Sequence, residues 1–214
     1  LEQETGQATG FKQNGSISVA PDAERFEELI RGASMAKCFG LEVEVISPRE
    51  AHELHPYLNI DDLSGAVFLP KDGQTNPIDI TQALAQGARM RGARVFENVR
   101  VQGILKEQGQ VTGVTTDQGE VKAEYVVNCA GLWGRQVGLM AGVNVPLYAS
   151  EHFYIVTEDL GLPADLPVVR DPSGYCYIKE DAGKLLVGCF EPKSKPRALR
   201  TIPEDFCFGQ FPED

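Results

Sequence analysis

The sequence predicts α/β plus antiparallel β, an α+β chain in which an α/β layer is interleaved with an antiparallel sheet. Three observations carry this. Residues 78–145 run helix, strand, hairpin, strand, helix, the order of an α/β layer. The flanks, 1–77 and 146–214, are richer in short alternating runs separated by turn residues, as antiparallel sheets are. Residues 125–133 pass from an apolar strand pattern through Asn128-Cys129-Ala130-Gly131 into helical spacing. The chain thus leaves one layer and returns to it.

In order, residues 15–20 alternate as a strand, with Ile17 and Val19 on one face. Pro21-Asp22 opens a helix with Asp22 in the cap region. Phe26, Leu29, Ile30 and Ala33 recur at helical spacing, and the helix stops near Gly40. Residues 41–46 set Leu41, Val43 and Val45 against Glu42 and Glu44, a half-exposed strand. Ser47-Pro48-Arg49-Glu50 starts a short helix, with Ser as cap, Pro at the first position and Glu three residues on; His55-Pro56 ends it. Residues 65–69 form a strand, and Lys71-Asp72-Gly73 a turn. Asn76-Pro77 caps a helix through Ile80, Leu84, Ala88 and Met90 to Gly92. Val95-Phe96 is a short strand, and 99–106 with 111–116 make a hairpin. Residues 121–127 form a strand that becomes apolar on both faces, as a strand buried on two sides does. A short helix follows over 133–141. Residues 148–157 read as one long strand. Residues 168–169, 175–179 and 184–188 read as antiparallel strands, turning at Pro172-Ser173-Gly174 and Asp181-Ala182-Gly183.

A chain of 214 residues is one large domain or two small ones, long enough to bury a core. It is 42% hydrophobic and 24% charged, an ordinary globular balance. The net charge of -11 argues against a nucleic-acid footprint. No apolar run approaches the ~20 residues that span a bilayer, and no signal peptide is visible. The five cysteines, Cys38, Cys129, Cys176, Cys189 and Cys207, are odd in number and widely spaced, without a C-x-x-C pair. Neither a zinc site nor a disulfide framework fits them, and buried thiols in a reducing compartment are expected. The chain begins at Leu1 and stops after an aromatic run, Phe206, Phe208 and Phe211, that needs a partner. It is expected to be an internal piece of a longer protein.

A strand that ends in small residues and feeds a helix brings bare backbone amides close to a phosphate or ribose, though the same turn also serves with no ligand. Other chemistry-bearing patterns fail. His52 and His55 share a helix face, but H-E-L-H is not H-E-x-x-H and no third ligand is evident. There is no G-x-S-x-G elbow and no P-loop.

Val126-Val127-Asn128-Cys129-Ala130-Gly131-Leu132-Trp133 resembles the motif of the D-amino-acid-oxidase superfamily of flavoproteins. Four blocks narrow the resemblance to its dimethylglycine and sarcosine dehydrogenase branch. They are Asp72-Gly73-Gln74-Thr75-Asn76-Pro77 with its helix, Arg100-Val101-Gln102-Gly103-Ile104, His152-Phe153-Tyr154-Ile155-Val156-Thr157-Glu158, and Val169-Arg170-Asp171-Pro172 with residues 175–178 and 185–188. The resemblance implies an FAD-binding α/β domain interleaved with an antiparallel-sheet substrate domain: substrate part in 1–77, FAD part in 78–145, substrate sheet in 146–214. It implies FAD as cofactor. The implied substrate is a small N-methylated amino acid such as dimethylglycine or sarcosine, demethylated by hydride transfer to flavin, with the electron acceptor left open. A bacterial cytoplasm or mitochondrial matrix is the implied location. The G-x-G-x-x-G turn that holds the family's pyrophosphate does not occur here, since Gly6 and Gly10 lack its spacing. The isolated piece is therefore expected to be inactive.

Carried over by residue, Val101 matches the position whose backbone meets the adenine, and Cys129, Ala130 and Gly131 match the turn beside the ADP ribose. Trp133 is either at the edge of that turn or a core aromatic. His152 and Tyr154 stand at i and i+2 and so share a strand face. In the resembling enzymes that strand lies over the flavin, where a His or Tyr that accepts a hydrogen bond helps keep the amine neutral. The alternative is a polar sheet face in solvent. Tyr175 and Tyr177 share a face too, and either receive a methylated ammonium by cation–π contact or pack across the sheet. Arg170 suits a substrate carboxylate, or pairs with Asp171 at the surface. Phe190, just past the last strand, is a pocket candidate. Two other classes stay open: a non-catalytic regulatory protein of the same fold, and a flavin-free ligand-binding module.

Overall fold

A computed structural model of the chain describes residues 1–198, 202 and 206. Cys207, Phe208 and Phe211 lie outside the described residues. The elements run α1 (Glu2–Thr5), β1 (Ser16–Ala20), α2 (Ala23–Cys38), β2 (Glu44–Ile46), α3 (Pro48–Leu54), β3 (Gly65–Leu69) and α4 (Pro77–Met90). Then come β4 (Val101–Glu107), β5 (Gln110–Thr116), β6 (Gly119–Lys122), a 3₁₀ turn (Gly131–Trp133) and α5 (Gly134–Met140). The chain ends with β7 (Ala149–Ser150), β8 (Tyr154–Val156), β9 (Val168–Asp171), β10 (Cys176–Asp181), β11 (Lys184–Cys189) and β12 (Pro196–Arg197). Two compact units form, Leu1–Arg94 with His152–Lys193, and Val95–Glu151 with Ser194–Asp214. No helix among the described residues is long and apolar enough to cross a membrane.

The first unit is built on a seven-stranded mixed sheet of order β2-β3-β1-β9-β10-β11-β8. β1 runs antiparallel to β3 and parallel to β9, and the other ladders are antiparallel. Alternation along β1 sends Ile17 and Val19 to one face. There they join Ile46, Ala51, Ala66 and Val169 in one buried cluster, so α3, which carries Ala51, covers that face. On the other face Val67 and Val43 pack under Ala33 of α2. Gly65 admits the ring of Phe26 from α2, since any Cβ there would overlap it. Burying a side chain such as Ile17 completely stabilises the fold by about 1.5–3 kcal/mol.

Helix starts follow the expected chemistry. The Asp22 side chain accepts from Arg25 N at 2.8 Å. Ser47 and Glu50 form the full capping box ahead of Pro48. Asn76 accepts from Ile78 N and Asp79 N ahead of Pro77. Each satisfies amides that a helix leaves unpaired at its first turn.

The second unit holds a three-stranded antiparallel meander, β4-β5-β6, and a two-stranded ladder of β7 with β12. The Lys106 ammonium donates to Ala141 O at 2.8 Å, tying β4 to the end of α5.

Four expected elements differ. Residues 148–157 are not one strand: β7 pairs with β12 and β8 with β11, because the chain passes from one unit to the other between Glu151 and His152. The strand expected over 121–127 stops at Lys122, and Tyr125 and Val127 are 80% and 81% exposed. A strand apolar on both faces needs ladders at its edges and cover on both faces. No described strand pairs with these residues. Val95-Phe96 forms no strand, and the strand expected over 41–46 is reduced to β2.

Candidate functional site

Ladder register places one residue from each strand of the large sheet in a single cross-sheet row. From β2 to β8 it reads Val45, Val67, Ser18, Arg170, Tyr177, Gly188, Tyr154. Residues directly opposite in a ladder project from the same face. Helix α2 covers the Val67 end of this face. Farther along, Arg170 and Tyr154 are exposed and Tyr177 is half-buried. Three of the residues singled out from the sequence thus share one face of one sheet.

Gly188 explains how Tyr177 is held. A Cβ at Gly188 would stand against Cε1, Cζ and Oη of Tyr177, so the ring lies over the bare backbone of β11. Phe190 follows on that side, with its ring centroid 5.6 Å from that of Tyr177. The His152 ring meets Phe190 edge-on at 5.4 Å. His152, Phe190 and Tyr177 therefore form a continuous aromatic run. Glu191 stands behind it, with its Oε2 3.6 Å from His152 Nδ1 and without a hydrogen bond among the described residues.

Other expected juxtapositions change. His152 precedes β8, so it and Tyr154 are not two residues of one strand, and His152 turns to Phe190. Tyr175 lies in the turn before β10 with φ 55°, which breaks the alternation that would align it with Tyr177. Its carbonyl accepts from Phe190 N at 2.7 Å. Among the described residues Arg170 forms no ion pair. Asp171 instead accepts from Ser173 N and Gly174 N in the β9–β10 turn. Arg170 and Tyr154 are three ladder steps apart, ~14 Å between backbones. To share one small molecule with Tyr154, Arg170 has to reach across Tyr177.

Two ionisable groups on β10 are shifted. Burial pushes the Cys176 thiol up, and Asp171 and Cys189 add to the rise. At Glu180, burial alone would raise the carboxyl. Hydrogen bonds from Gly183 N and from Lys12 at 3.1 Å, with the Lys12 charge, outweigh that and hold it below the usual carboxylate range. Among the described residues no group of three or more His, Cys, Asp or Glu is placed to hold a metal ion.

In the second unit the small-residue turn is organised by Asn128. Its Oδ1 accepts from Ala130 N at 3.2 Å, and its Nδ2 donates to Gly134 O at 2.8 Å. Gly131 has φ 53°, a left-handed conformation costly to other residues, and open space where a Cβ would stand. Cys129 is exposed, and Val101 and Trp133 are each 37% exposed. Trp133 is therefore at the surface of this chain, not in its core.

Residues 1–207 match the family whose description reads DAO: FAD dependent oxidoreductase. The chain belongs to the DAO family. It is 41% identical over 200 residues to the mitochondrial pyruvate dehydrogenase phosphatase regulatory subunit of Mus musculus, covering 92% of this chain and 23% of that protein. It is 40% identical over 219 residues to the mitochondrial sarcosine dehydrogenase of Homo sapiens, covering 100% of this chain and 24% of that protein. Among solved structures it resembles the L-proline dehydrogenase of P. horikoshii with a TM-score of 0.81 and 28% identity, over 91% of this chain and 52% of that one. The chain thus spans about a quarter of the length of the curated relatives it matches.

The DAO family cofactor is FAD, and the turn at 128–133 fits part of it. The unobstructed backbone at Gly131, two residues from the exposed ring of Trp133, leaves room for such a group to approach. The pyrophosphate needs a nest of amides that this sequence does not supply in G-x-G-x-x-G form. Reading the sequence placed Asn128 in the turn but missed its role there, and it missed the roles of Gly188 and Glu191. An Asx residue ahead of a turn and a glycine inside a strand pattern were available signals for the first two. Glu191 had none.

Proposed function

We propose that the protein containing this chain is an FAD-dependent dehydrogenase or oxidase that demethylates a small N-methylated amino acid such as sarcosine or dimethylglycine. The observation that carries this is the row of Arg170, Tyr177 and Tyr154 on one sheet face, with His152 and Phe190 against it. One cation, two hydrogen-bond acceptors and a set of aromatic faces suit a small zwitterion.

Bound FAD would accept the hydride, which is chemistry that protein side chains do not supply. Tyr177 and Phe190, with Tyr175 beside them, receive the methylated ammonium against their ring faces. Arg170 binds the carboxylate with two parallel hydrogen bonds. Tyr154 and His152 accept from the ammonium N–H and ease loss of that proton to solvent, which frees the nitrogen lone pair for hydride loss. Val101, Cys129, Ala130, Gly131 and Trp133 hold the adenosine end. In this reading residues 78–145 belong to the cofactor layer, and 1–77 with 146–214 to the substrate layer. The compartment in this reading is a bacterial cytoplasm or mitochondrial matrix; the thiols expected to be buried are not, since Cys38 and Cys129 are exposed and Cys176 and Cys189 half-buried.

A regulatory protein without turnover is the second reading, favoured by the 41% identity to a phosphatase regulatory subunit. The two separate in one experiment on the intact protein. Its visible spectrum is recorded as purified, then after sarcosine or dimethylglycine is added without oxygen. Bleaching of a flavin spectrum supports the dehydrogenase. A flavin that stays oxidised with both amines overturns these substrates and favours regulation, and a colourless protein overturns the cofactor.

A further inference from the structure

We propose that Cys176 and Cys189 form a reversible redox site, a cross-strand dithiol that closes to a disulfide with a small-molecule disulfide such as oxidised glutathione as the oxidant. The two are directly opposite in the β10–β11 ladder, and both are free and half-buried. Their pair is of the kind without hydrogen bonds between partners. Phe190 N donates to Tyr175 O at 2.7 Å one step along, while Cys189 N turns away to Phe153 O at 3.2 Å. Antiparallel pairs of this kind hold their Cα atoms ~4.5 Å apart, with side chains closest. A disulfide needs ~4.4–6.8 Å between Cα atoms. Alternation sends both thiols to the face opposite Tyr177. Closure therefore leaves the Tyr177 face clear, and it pins together the strands that carry Tyr177 and Phe190.

The chemistry balances as two successive exchanges. A cysteine thiolate attacks the glutathione disulfide, which forms a mixed disulfide and releases one glutathione thiolate. The second cysteine then displaces the other glutathione, and two protons leave with the two electrons passed to glutathione. Burial pushes the Cys176 thiol up, with Asp171 and Cys189 adding to the rise, which lowers its thiolate fraction and slows its own attack.

The test uses intact native protein, incubated with oxidised glutathione, alkylated and digested. Trypsin cuts after Arg170, Lys179, Lys184 and Lys193, which places Cys176 in peptide 171–179 and Cys189 in peptide 185–193. The expected result is one linked species of these two peptides that dithiothreitol separates, absent from Cys189→Ser. Both peptides alkylated, or each carrying its own glutathione without linkage, overturns the proposal. The deciding readout comes from the unsubstituted protein, so a variant that fails to fold does not obscure it.

Discussion

Gly188→Ala should displace Tyr177 and little else. The Gly188 backbone is outside the left-handed region, so alanine brings no backbone strain. Its methyl would stand against Cε1, Cζ and Oη of the Tyr177 ring, which has to swing off β11 and lose its tilted contact with Phe190. Overpacking of this kind costs ~1–3 kcal/mol. The aromatic pair contributes ~0.5–1.5 kcal/mol more, and replacing a strand glycine by alanine returns ~0.5–1 kcal/mol. The net expectation is a loss of about 2 kcal/mol. Urea denaturation of the single variants and of the double variant with Tyr177→Ala measures it. With the ring gone, the same Gly188→Ala change should cost below ~0.5 kcal/mol, because the coupling lives in that one contact. An equal penalty in both backgrounds would refute the idea that Gly188 exists to seat Tyr177.

Three further outcomes are expected. The Glu180 carboxyl is lowered by folding, since hydrogen bonds from Gly183 and Lys12 outweigh its burial. Its stabilisation is therefore present above the unfolded value of ~4.3 and lost as pH falls through the lower folded value. Glu180→Gln should lower the urea midpoint at neutral pH, where the carboxylate's stabilisation is present, and flatten that acid limb in a series of midpoints against pH. Burial likewise lowers His55, so the fold should weaken as pH falls below ~6.5 and the buried ring is forced to charge. His55→Leu should lose that dependence, and an unchanged slope would show that another group titrates there. Asn128→Ala removes the acceptor for Ala130 N and the donor to Gly134 O, a local loss of ~1–2 kcal/mol. Hydrogen exchange across residues 130–137 should quicken while the large sheet keeps its protection.

What was legible in the sequence was local. Asp22, Ser47 with Glu50, and Asn76 with Pro77 announce their helices because a cap acts within one turn. Residues 65–69 announce a strand because a short apolar run, Ala66 to Leu69, ahead of the Lys71-Asp72-Gly73 turn can be read locally. The long strand expected over 148–157 fails because its partners, β12 and β11, lie in different units, with the polar Ser150-Glu151-His152 at the break between them. The stretch at 125–127 keeps the composition of a buried strand, yet its burial depends on neighbours its own sequence does not encode. At the site, Arg170, Tyr177 and Tyr154 could be picked out by residue type, but their common row depends on the register of three ladders. The pairing of His152 with Phe190 depends on where β8 begins. Tyr175 fell out of line through a single positive φ.

The pairing of β1 with β9 has a consequence for synthesis. Ser16 lies beside Val168, so roughly 150 residues must emerge before the centre of the large sheet gains its second neighbour. At ~5–20 residues per second the ribosome needs about 8–30 s for that length. During the interval β1, β2 and β3 can fold with α2 and α3, and the β4-β5-β6 meander with α5 can be made, while one side of β1 keeps its amides and carbonyls unpaired. Such an open edge is where a nascent chain sticks to its neighbours. The same topology that brings Arg170 next to Ser18 makes the newborn chain a natural client for a chaperone until β9 arrives.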